Sequence, residues 1–333
     1  MKKCLTNTEN NIQVFSISNR IITVEVLNYG GIIHSIKVNK NGKVFDVVLG
    51  YKNLTDYLCD DNYFGAIVGR VCNVVKDAKY TLNDKQYNLI KNQNQDSLHG
   101  GSKGLTKRFW QVENHTDSSL TLTTFSHDGE DGYGGNLTVK AVYSFTNRGG
   151  LLVELFAISD KETPIALTMH PYFNLNGEGA GFIGNHLLEI DADFITLTDN
   201  DYACTGELLN VKNTPYDFKR PKPIGKNLNA DFPQMIKDGG YDVNFVLNSN
   251  AKIKAIGDLS GVSLEIFTNQ NGAQLYTSNS LNVKSGKSCE YKDWQAFCIE
   301  PQNYPNAVNI SSFPTPFVKA NENYYWQTEY LFK

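Results

Sequence analysis

The amino-acid sequence predicts one all-β fold of mostly antiparallel strands with very little helix. Short runs of β-branched and aromatic residues recur along the chain, and Gly, Asn and Asp separate them. Several runs alternate polar and apolar residues, as in Thr23-Val24-Glu25-Val26, which is typical of a strand with one buried face. No stretch keeps a helical period, and parallel pairing would need long crossovers between strands. These observations together favour antiparallel sheets packed as a large sandwich.

Predicted strands extend from the N-terminal region to the last residues of the chain. The first three cover residues 21–27, 32–38 and 44–49, and Asn41-Gly42 joins the last two because this dipeptide favours a hairpin turn. The later strands follow at residues 137–145, 151–158, 187–192, 245–247, 262–268, 296–299 and 324–332. Helix is limited to residues 53–57 and 230–236, each of about two turns or less.

The chain organisation indicates one domain. No stretch rich in Pro, Gly or Ser is long enough to link two domains, and no internal repeat has the period of a solenoid or propeller. All-β sandwiches and barrels often exceed about 200 residues as single units. We therefore predict a single domain over residues 1–333.

Charge and cysteine content exclude several classes of function. The net charge is −4 and the pI is near 5.9, so nothing favours nucleic acid or an anionic membrane as a partner. The arginines are scattered, so no phosphate clamp of paired arginines is visible; they are Arg20, Arg70, Arg108, Arg148 and Arg220. The six cysteines contain no CxxC pair and no metal-ligand spacing.

The N-terminal residues bear on the cellular location. Met1-Lys2-Lys3 resembles the start of a signal peptide, but Cys4 to Asn11 are polar, so the apolar segment of a signal is missing. No apolar run approaches the length of a membrane span. We expect a cytoplasmic protein with reduced cysteines, monomeric or homodimeric.

Two of the six histidines lie in sequence contexts suited to chemistry. His99 precedes Gly100-Gly101, which lets the backbone turn sharply and places the ring at a loop mouth. His170 follows a strand-like run and precedes a segment rich in aromatic residues and Asn. Either residue could instead be an ordinary turn or strand-end histidine. His34 lies in an apolar strand and is expected to be structural, and the remaining three, His115, His127 and His186, are expected at the surface.

Two carboxylates interrupt or adjoin apolar strands. Glu300 follows the run 296–299, where desolvation would raise its pKa towards the range that a general base needs. Asp242 follows Gly239-Gly240-Tyr241 and could accept hydrogen bonds from hydroxyl groups, or be a turn aspartate. The sequence has no metal-ligand spacing, phosphate-binding loop or Gly-x-Ser-x-Gly hydrolase motif.

Taken together, these segments resemble the aldose 1-epimerase (galactose mutarotase) family. The resemblance begins near Tyr29-Gly30-Gly31 and covers nearly the whole chain. The matching motifs are, in order, Leu49-Gly50-Tyr51 before Tyr57, Gly69-Arg70 with Asn73, Ser97-Leu98-His99-Gly100-Gly101, His170 with Tyr172-Phe173-Asn174-Leu175, Gly240-Tyr241-Asp242 with Asn244-Phe245, Gln274-Leu275-Tyr276-Thr277, and Glu300-Pro301-Gln302-Asn303-Tyr304-Pro305 with Ala307-Val308-Asn309. Each motif is weak alone, and their shared order is the specific signal.

The resemblance implies a galactose mutarotase-like β-supersandwich that binds a free aldohexose in an open cleft and needs no cofactor and no metal. It implies His170 as general acid and Glu300 as general base. It also implies that His99 holds the sugar near its ring oxygen. Hydroxyl contacts are implied for three further residues, Asn73, Asp242 and Gln274. Opening a hemiacetal requires one group that accepts a proton and one that donates it, which these residue types supply.

Two positions depart from the family pattern. Val74 stands where the family has an arginine that reaches the substrate, and Val243 stands where a histidine is common. The loss of a charge-assisted hydrogen bond removes about 1.5–3 kcal/mol when the bond is fully used. A lysine such as Lys76 could substitute. The alternatives are a sugar-binding or regulatory relative with weak catalysis, an epimerase of a hexose 6-phosphate or unusual sugar, and a retaining glycosidase that uses Glu300 with Asp242.

Overall fold

A computed structural model describes residues 11–333, and its largest element is a nine-stranded sheet. Every paired strand in this sheet is antiparallel to its neighbour. In spatial order its strands are Gln111–His115, Leu120–Ser126, Leu137–Phe145, Leu151–Ser159, Asn323–Phe332, Ser263–Thr268, Ile253–Ile256, Leu187–Ile190 and Lys222–Pro223.

A six-stranded antiparallel sheet carries the residues of most interest for function. Its strands are, in spatial order, Tyr172–Phe173, Phe297–Gln302, Gly272–Tyr276, Asp242–Leu247, Ala192–Thr198 and Cys204–Asn210. The strand Phe297–Gln302, second in this order, is buried at all six positions. Both of its faces are therefore covered, and a polar side chain on it lies in a desolvated environment.

The remaining strands form a four-stranded sheet and five two-stranded ladders. The four-stranded sheet has the order Val14–Ser18, Ile22–Leu27, Ile33–Lys40 and Lys43–Asp46. The ladders pair Thr163–Pro164 with Phe317–Val318, Thr168–Met169 with Ile67–Val68, Asn282–Val283 with Tyr291–Lys292, Val74–Val75 with Ser97–Leu98, and Lys79–Leu82 with Lys85–Asn88.

Helix is scarce in the described residues, as predicted. The α-helix Pro233–Asp238 begins with proline in its first turn and ends at Gly239, which has a φ of 66°. The 3₁₀ helices are Leu54–Cys59, Lys76–Ala78, Leu105–Lys107, Glu130–Gly132 and Ile224–Asn227. No helix of residues 11–333 is long and apolar enough to cross a membrane.

Alternating side chains bury one face of the long strands. In Leu151–Ser159 every second residue is buried, and the others are half-buried or exposed. Together with neighbouring strands this strand contributes to one large apolar core that also includes the fully buried Trp326 and Tyr330. The period-two pattern that predicted strands in the sequence is thus the pattern that builds the core.

Most predicted strands are confirmed, and the differences arise where the chain changes partners. Asn41 and Gly42 form the predicted hairpin, with φ of 53° and 77°. The run 44–49 leaves the four-stranded sheet after Asp46, because Val48 pairs instead with Phe173 of the six-stranded sheet. The run 187–192 divides at Asp191 between the two larger sheets.

The cysteines differ in part from expectation. Four carry free thiols, namely Cys72, Cys204, Cys289 and Cys298. Cys59 is disulfide-bonded, so the expectation of reduced cysteines is wrong at this position. Sequence spacing alone does not determine which cysteines pair. Cys4 and Met1-Lys2-Lys3, which carried the reasoning on a signal peptide, lie outside the described residues.

Candidate active site

A cleft of about 370 Å³ opens over one face of the six-stranded sheet. This volume is in the range of small-molecule sites. The strand register builds its floor: Asn244 lies opposite Gln274, and Gln274 lies opposite Glu300. Opposite residues in antiparallel strands project to the same face of the sheet. Three polar side chains from three adjacent strands therefore form one row beneath the cleft.

His170 stands above this floor, just after the short strand Thr168–Met169. Its backbone N–H donates to the carbonyl of Ala66 at 3.0 Å, and its carbonyl accepts from Gly65 at 2.9 Å. The imidazole stacks on the ring of Tyr172, with centroids 5.1 Å apart and planes at 13°. Backbone bonds and the stacked ring fix the imidazole, although its Nδ1 has no hydrogen-bond partner within residues 11–333.

His170 and Glu300 face each other at the closed end of the cleft. Nε2 of His170 is 3.5 Å from Oε1 of Glu300, and the two residues are only 4% and 2% exposed. Oε2 of Glu300 has no hydrogen-bond partner among the described residues. A buried polar atom without a partner is costly, so the site keeps bonding capacity that a ligand can satisfy.

Burial displaces the pKa values of this pair in opposite directions. It lowers the pKa of His170 to about 4, and burial followed by repulsion from Asp242 raises the pKa of Glu300 well above its usual range. Both shifts favour the uncharged forms, a carboxylic acid and a neutral imidazole, and in these forms the pair holds one proton. Transfer of that proton from the carboxyl to the imidazole gives a carboxylate and an imidazolium without a change in total charge.

His99 lies in the cleft with a defined tautomer. Its Nδ1 accepts a hydrogen bond from the backbone N–H of Asn73 at 3.1 Å, so Nε2 carries the hydrogen and acts as a donor. Burial, and next the neighbouring His170, hold the pKa of His99 well below its usual value. The turn depends on Gly100, which has a φ of 84° and whose added Cβ would lie 1.9 Å from the carbonyl oxygen of Gly69.

Asp242 and Gln274 form a second polar unit on the cleft floor. Nε2 of Gln274 donates to Oδ1 of Asp242 at 2.7 Å, which leaves Oε1 of Gln274 without a partner in the described chain. Burial raises the pKa of Asp242 to about 6, and the hydrogen bond from Gln274 opposes that shift. The unit therefore presents hydrogen-bond acceptors to the cleft. With Asn73, all six residues that the sequence indicated line this one cleft: Asn73, His99, His170, Asp242, Gln274 and Glu300.

The cleft wall is apolar at Val74. This residue is 2% exposed, lines the cleft and pairs with Leu98 in a short ladder. Lys76 does not replace the missing cation, because its Nζ donates to Asp199 at 2.5 Å and its side chain is outside the lining. Among the described residues that line the cleft, none is an arginine or a lysine. A phosphosugar would therefore find no cationic partner in this lining.

The structure adds cleft residues that sequence reasoning had not selected. Asn244 is 1% exposed, and neither atom of its amide has a hydrogen-bond partner in the described chain. It lies two residues after Asp242, and strand alternation would have placed both on one face. The ring of Tyr63 stacks over that of His170 with centroids 6.0 Å apart, and Asp238 adds a further buried carboxyl, whose pKa burial raises to about 7. Neither has a local sequence signal.

The histidines outside the cleft are partly as expected. His34 is half-buried and its Nδ1 bonds the hydroxyl of Tyr57 at 2.8 Å, which confirms a structural role. His115 and His127 are exposed, as predicted. His186 is fully buried, so its predicted surface position is wrong. Its Nε2 accepts from the N–H of Leu175 at 3.0 Å, a contact that the local sequence does not reveal.

Comparison with known proteins gives consistent matches over almost the whole chain. The family model described as "Aldose 1-epimerase" matches residues 13–331. The galactose mutarotase of Sus scrofa is 36% identical over 330 residues, which cover 96% of this chain and 94% of that protein.

Solved structures match equally broadly. A structure described as a GalM/aldose epimerase homologue from C. elegans has a TM-score of 0.91 and 29% identity, with 97% of this chain and 99% of that chain covered. A galactose 1-epimerase from Lactobacillus acidophilus has a TM-score of 0.85 and 25% identity, with 97% and 95% covered. These matches confirm the predicted galactose mutarotase-like fold.

Proposed function

The chain belongs to the aldose 1-epimerase family of isomerases, and we propose that it interconverts the α and β anomers of a free hexose such as galactose or glucose. The observation that carries this proposal is the buried pair His170 and Glu300. The pair lies in a cleft of small-molecule size and keeps unbonded polar atoms. A pair that holds one proton is suited to a reaction that moves protons without net gain or loss.

The proposed reaction opens and recloses the sugar ring. In the ionised form of the pair, the Glu300 carboxylate takes the proton of the anomeric hydroxyl while the His170 imidazolium protonates the ring oxygen. The bond from the anomeric carbon to the ring oxygen breaks and the aldehyde forms. After rotation about the adjacent carbon–carbon bond, the hydroxyl attacks the other face and both protons return. Each group contributes roughly 10²–10⁴-fold to the rate.

The other cleft residues are proposed to orient the sugar. The Nε2–H of His99 is a donor suited to the ring oxygen region, and its low pKa keeps it uncharged there. Asp242 and Gln274 are proposed to bind hydroxyl groups, since their free acceptor sites face the cleft. Asn73 is proposed as a further hydroxyl contact. Fixed partners of this kind hold the reactive bond between acid and base.

Polarimetry tests the proposal directly. Freshly dissolved α-galactose should reach equilibrium faster with the protein than in buffer, and Glu300→Gln should remove about 10²–10⁴-fold of that rate. Glu25→Gln is a matched control, because Glu25 pairs with Lys37 on the four-stranded sheet away from the cleft. Equal rates for wild type and Glu300→Gln would exclude Glu300 as the base.

Val74 supports a second candidate function, a sugar-binding or regulatory protein with weak or altered catalysis. Without a cation on the cleft wall, the developing charge on the sugar lacks one partner that the resemblance leads us to expect. Calorimetry that detects galactose binding, together with no rate enhancement at high protein concentration, would favour this candidate. Turnover at ordinary protein concentrations would exclude it.

A further inference from the structure

A buried thiol lies next to the proposed acid–base pair. Cys298 stands two residues before Glu300 on the strand Phe297–Gln302, so both side chains project from the same face of that strand, and Glu300 lines the cleft. One ligand atom from each of three residues, His170, Cys298 and Glu300, lies within 4.8 Å of the others. All three residues are buried, and the thiol is free.

The spacing of these atoms fits a metal ion. Two nitrogen or oxygen ligands at about 2.05 Å from a tetrahedral Zn²⁺ are roughly 3.3 Å apart. The observed separation between Nε2 of His170 and Oε1 of Glu300 is 3.5 Å. A sulfur ligand lies about 2.3 Å from the ion and therefore roughly 3.6 Å from such a nitrogen or oxygen. This separation is below the 4.8 Å within which the three ligand atoms lie. The imidazole and the carboxylate are thus already at a separation that suits two ligands of one ion, and the sulfur lies within 4.8 Å of both.

The chemistry of the three ligands indicates which ion. Thiolate, imidazole and carboxylate together are typical of Zn²⁺ sites, whereas Mg²⁺ and Ca²⁺ prefer oxygen ligands alone. Three protein ligands leave one position of a tetrahedral ion for a water molecule or another ligand. The unpartnered Oε2 of Glu300 is an independent sign that this group can accept a further electropositive partner.

We propose that His170, Cys298 and Glu300 form an inhibitory site for Zn²⁺ or another thiophilic divalent cation. On binding, the Cys298 thiol releases its proton to solvent and a sulfur–metal bond forms, while His170 and Glu300 donate lone pairs to the ion. The imidazole and the carboxylate are then unavailable for proton transfer to a sugar. The inhibitory part of this inference rests on the proposed isomerase function, whereas metal binding itself does not.

The chain contains a matched control for the thiol. Cys204 also lines the cleft and is a free buried cysteine, but its Sγ donates to Oγ1 of Thr196 at 3.3 Å. Cys204 is not part of the three-residue cluster. Cys204→Ser therefore removes a cleft thiol without removing a proposed ligand. Cys298→Ser and Cys298→Ala are the two test variants, so that one informative variant remains if the other folds poorly.

Cobalt absorption spectroscopy tests the site without a need for activity. Co²⁺ added to the metal-free wild-type protein and to Cys204→Ser should give a thiolate-to-cobalt charge-transfer band, and the Cys298 variants should lack it. Loss of a direct ligand should weaken affinity by more than the roughly 10–100-fold that loss of an outer-shell partner costs. A missing band in wild type, or a band lost in Cys204→Ser but kept in Cys298→Ser, would overturn the proposed site.

Polarimetry then tests inhibition. Zn²⁺ should abolish the enzymatic rate of wild type and of Cys204→Ser, EDTA should restore it, and Mg²⁺ should have no effect. Each Cys298 variant is compared with its own rate in EDTA, and inhibition should require a Zn²⁺ concentration more than about 100-fold higher. Full activity of the wild type with the site saturated by Zn²⁺ would overturn the inhibitory role. Absence of any rate in EDTA would instead count against the proposed function, while the cobalt spectrum would still decide the metal site.

Discussion

Two buried carboxylates, Asp60 and Glu300, occupy opposite kinds of environment. Asp60 is 7% exposed, and its oxygens accept four hydrogen bonds, two from Asn62 and one each from Tyr51 and Phe64. Glu300 is 2% exposed, and Nε2 of His170 lies 3.5 Å from its Oε1. Burial raises the pKa of both, but only at Asp60 do hydrogen bonds oppose that shift.

This difference separates a structural carboxylate, Asp60, from the carboxylate that we propose as the general base, Glu300. The hydrogen bonds of Asp60 hold the turn that follows the 3₁₀ helix Leu54–Cys59. Glu300 stabilises nothing comparable, and its unbonded oxygen is retained at a cost in folding free energy. Buried polar groups are normally satisfied, so an unsatisfied one next to a cleft indicates a site for a ligand.

Matched amide substitutions give the largest expected contrast between the two carboxylates. Asp60→Asn places an NH₂ group against existing donors, so we expect a loss of about 2–4 kcal/mol in the free energy of unfolding. Glu300→Gln removes a buried ionisable group that has no donors to lose. Its unfolding free energy should stay within about 1 kcal/mol of wild type or rise. Urea unfolding measures both, and equal losses would refute the distinction.

The pH dependence of activity distinguishes Glu300 from Asp60 further, because it should depend on the protonation of His170 and Glu300 and not on Asp60. Below the pKa of His170, about 4, both members of the pair are protonated and no base remains. The rate, corrected for buffer catalysis, should therefore fall about tenfold per pH unit on the acid side. Above the raised pKa of Glu300 the pair loses its proton and lacks an acid. Asp60→Asn should leave this bell-shaped profile unchanged, and a profile that moves with it would contradict the assignment.

The smallest expected effect comes from placing a cation on the cleft wall at position 74. Val74→Arg should raise the mutarotation rate by up to about tenfold, near the lower end of what a charge-assisted hydrogen bond contributes. Val74→Met is the control, because it lengthens the side chain without a charge. A gain from both substitutions would indicate a packing effect, and a loss from Val74→Arg alone would mean that the cleft is adapted to an apolar wall.

The sequence predicted the fold well because strands and tight turns produce patterns among neighbouring residues. Period-two alternation and the Asn41-Gly42 turn both act over a few residues. The errors lie where distant segments decide the outcome. After Asp46 the chain turns to the six-stranded sheet, because Val48 pairs with Phe173. His186 is buried where its two ring nitrogens contact Leu175 and Asp258. No local pattern contains those partners.

The candidate site was predictable where motifs or strand alternation mark it. The six residues named from the resemblance line one cleft. Alternation from Asp242 would also have found Asn244 in the cleft lining, and alternation from Glu300 would have found Cys298 on the same face of its strand. Tyr63 and Asp238 enter the site from a turn and from the end of a short helix. Their positions depend on tertiary packing, so single-sequence reasoning could not select them.

The row formed by Asn244, Gln274 and Glu300 has a consequence for how such a protein can diverge. Each member belongs to a different strand, and the backbone ladder that aligns them does not depend on their side chains. A mutation at Asn244 or Gln274 can therefore change one side chain of the cleft floor while Glu300 and the backbone ladder stay in place. During evolution, single substitutions on separate strands can therefore change the preferred ligand stepwise while the protein keeps its fold.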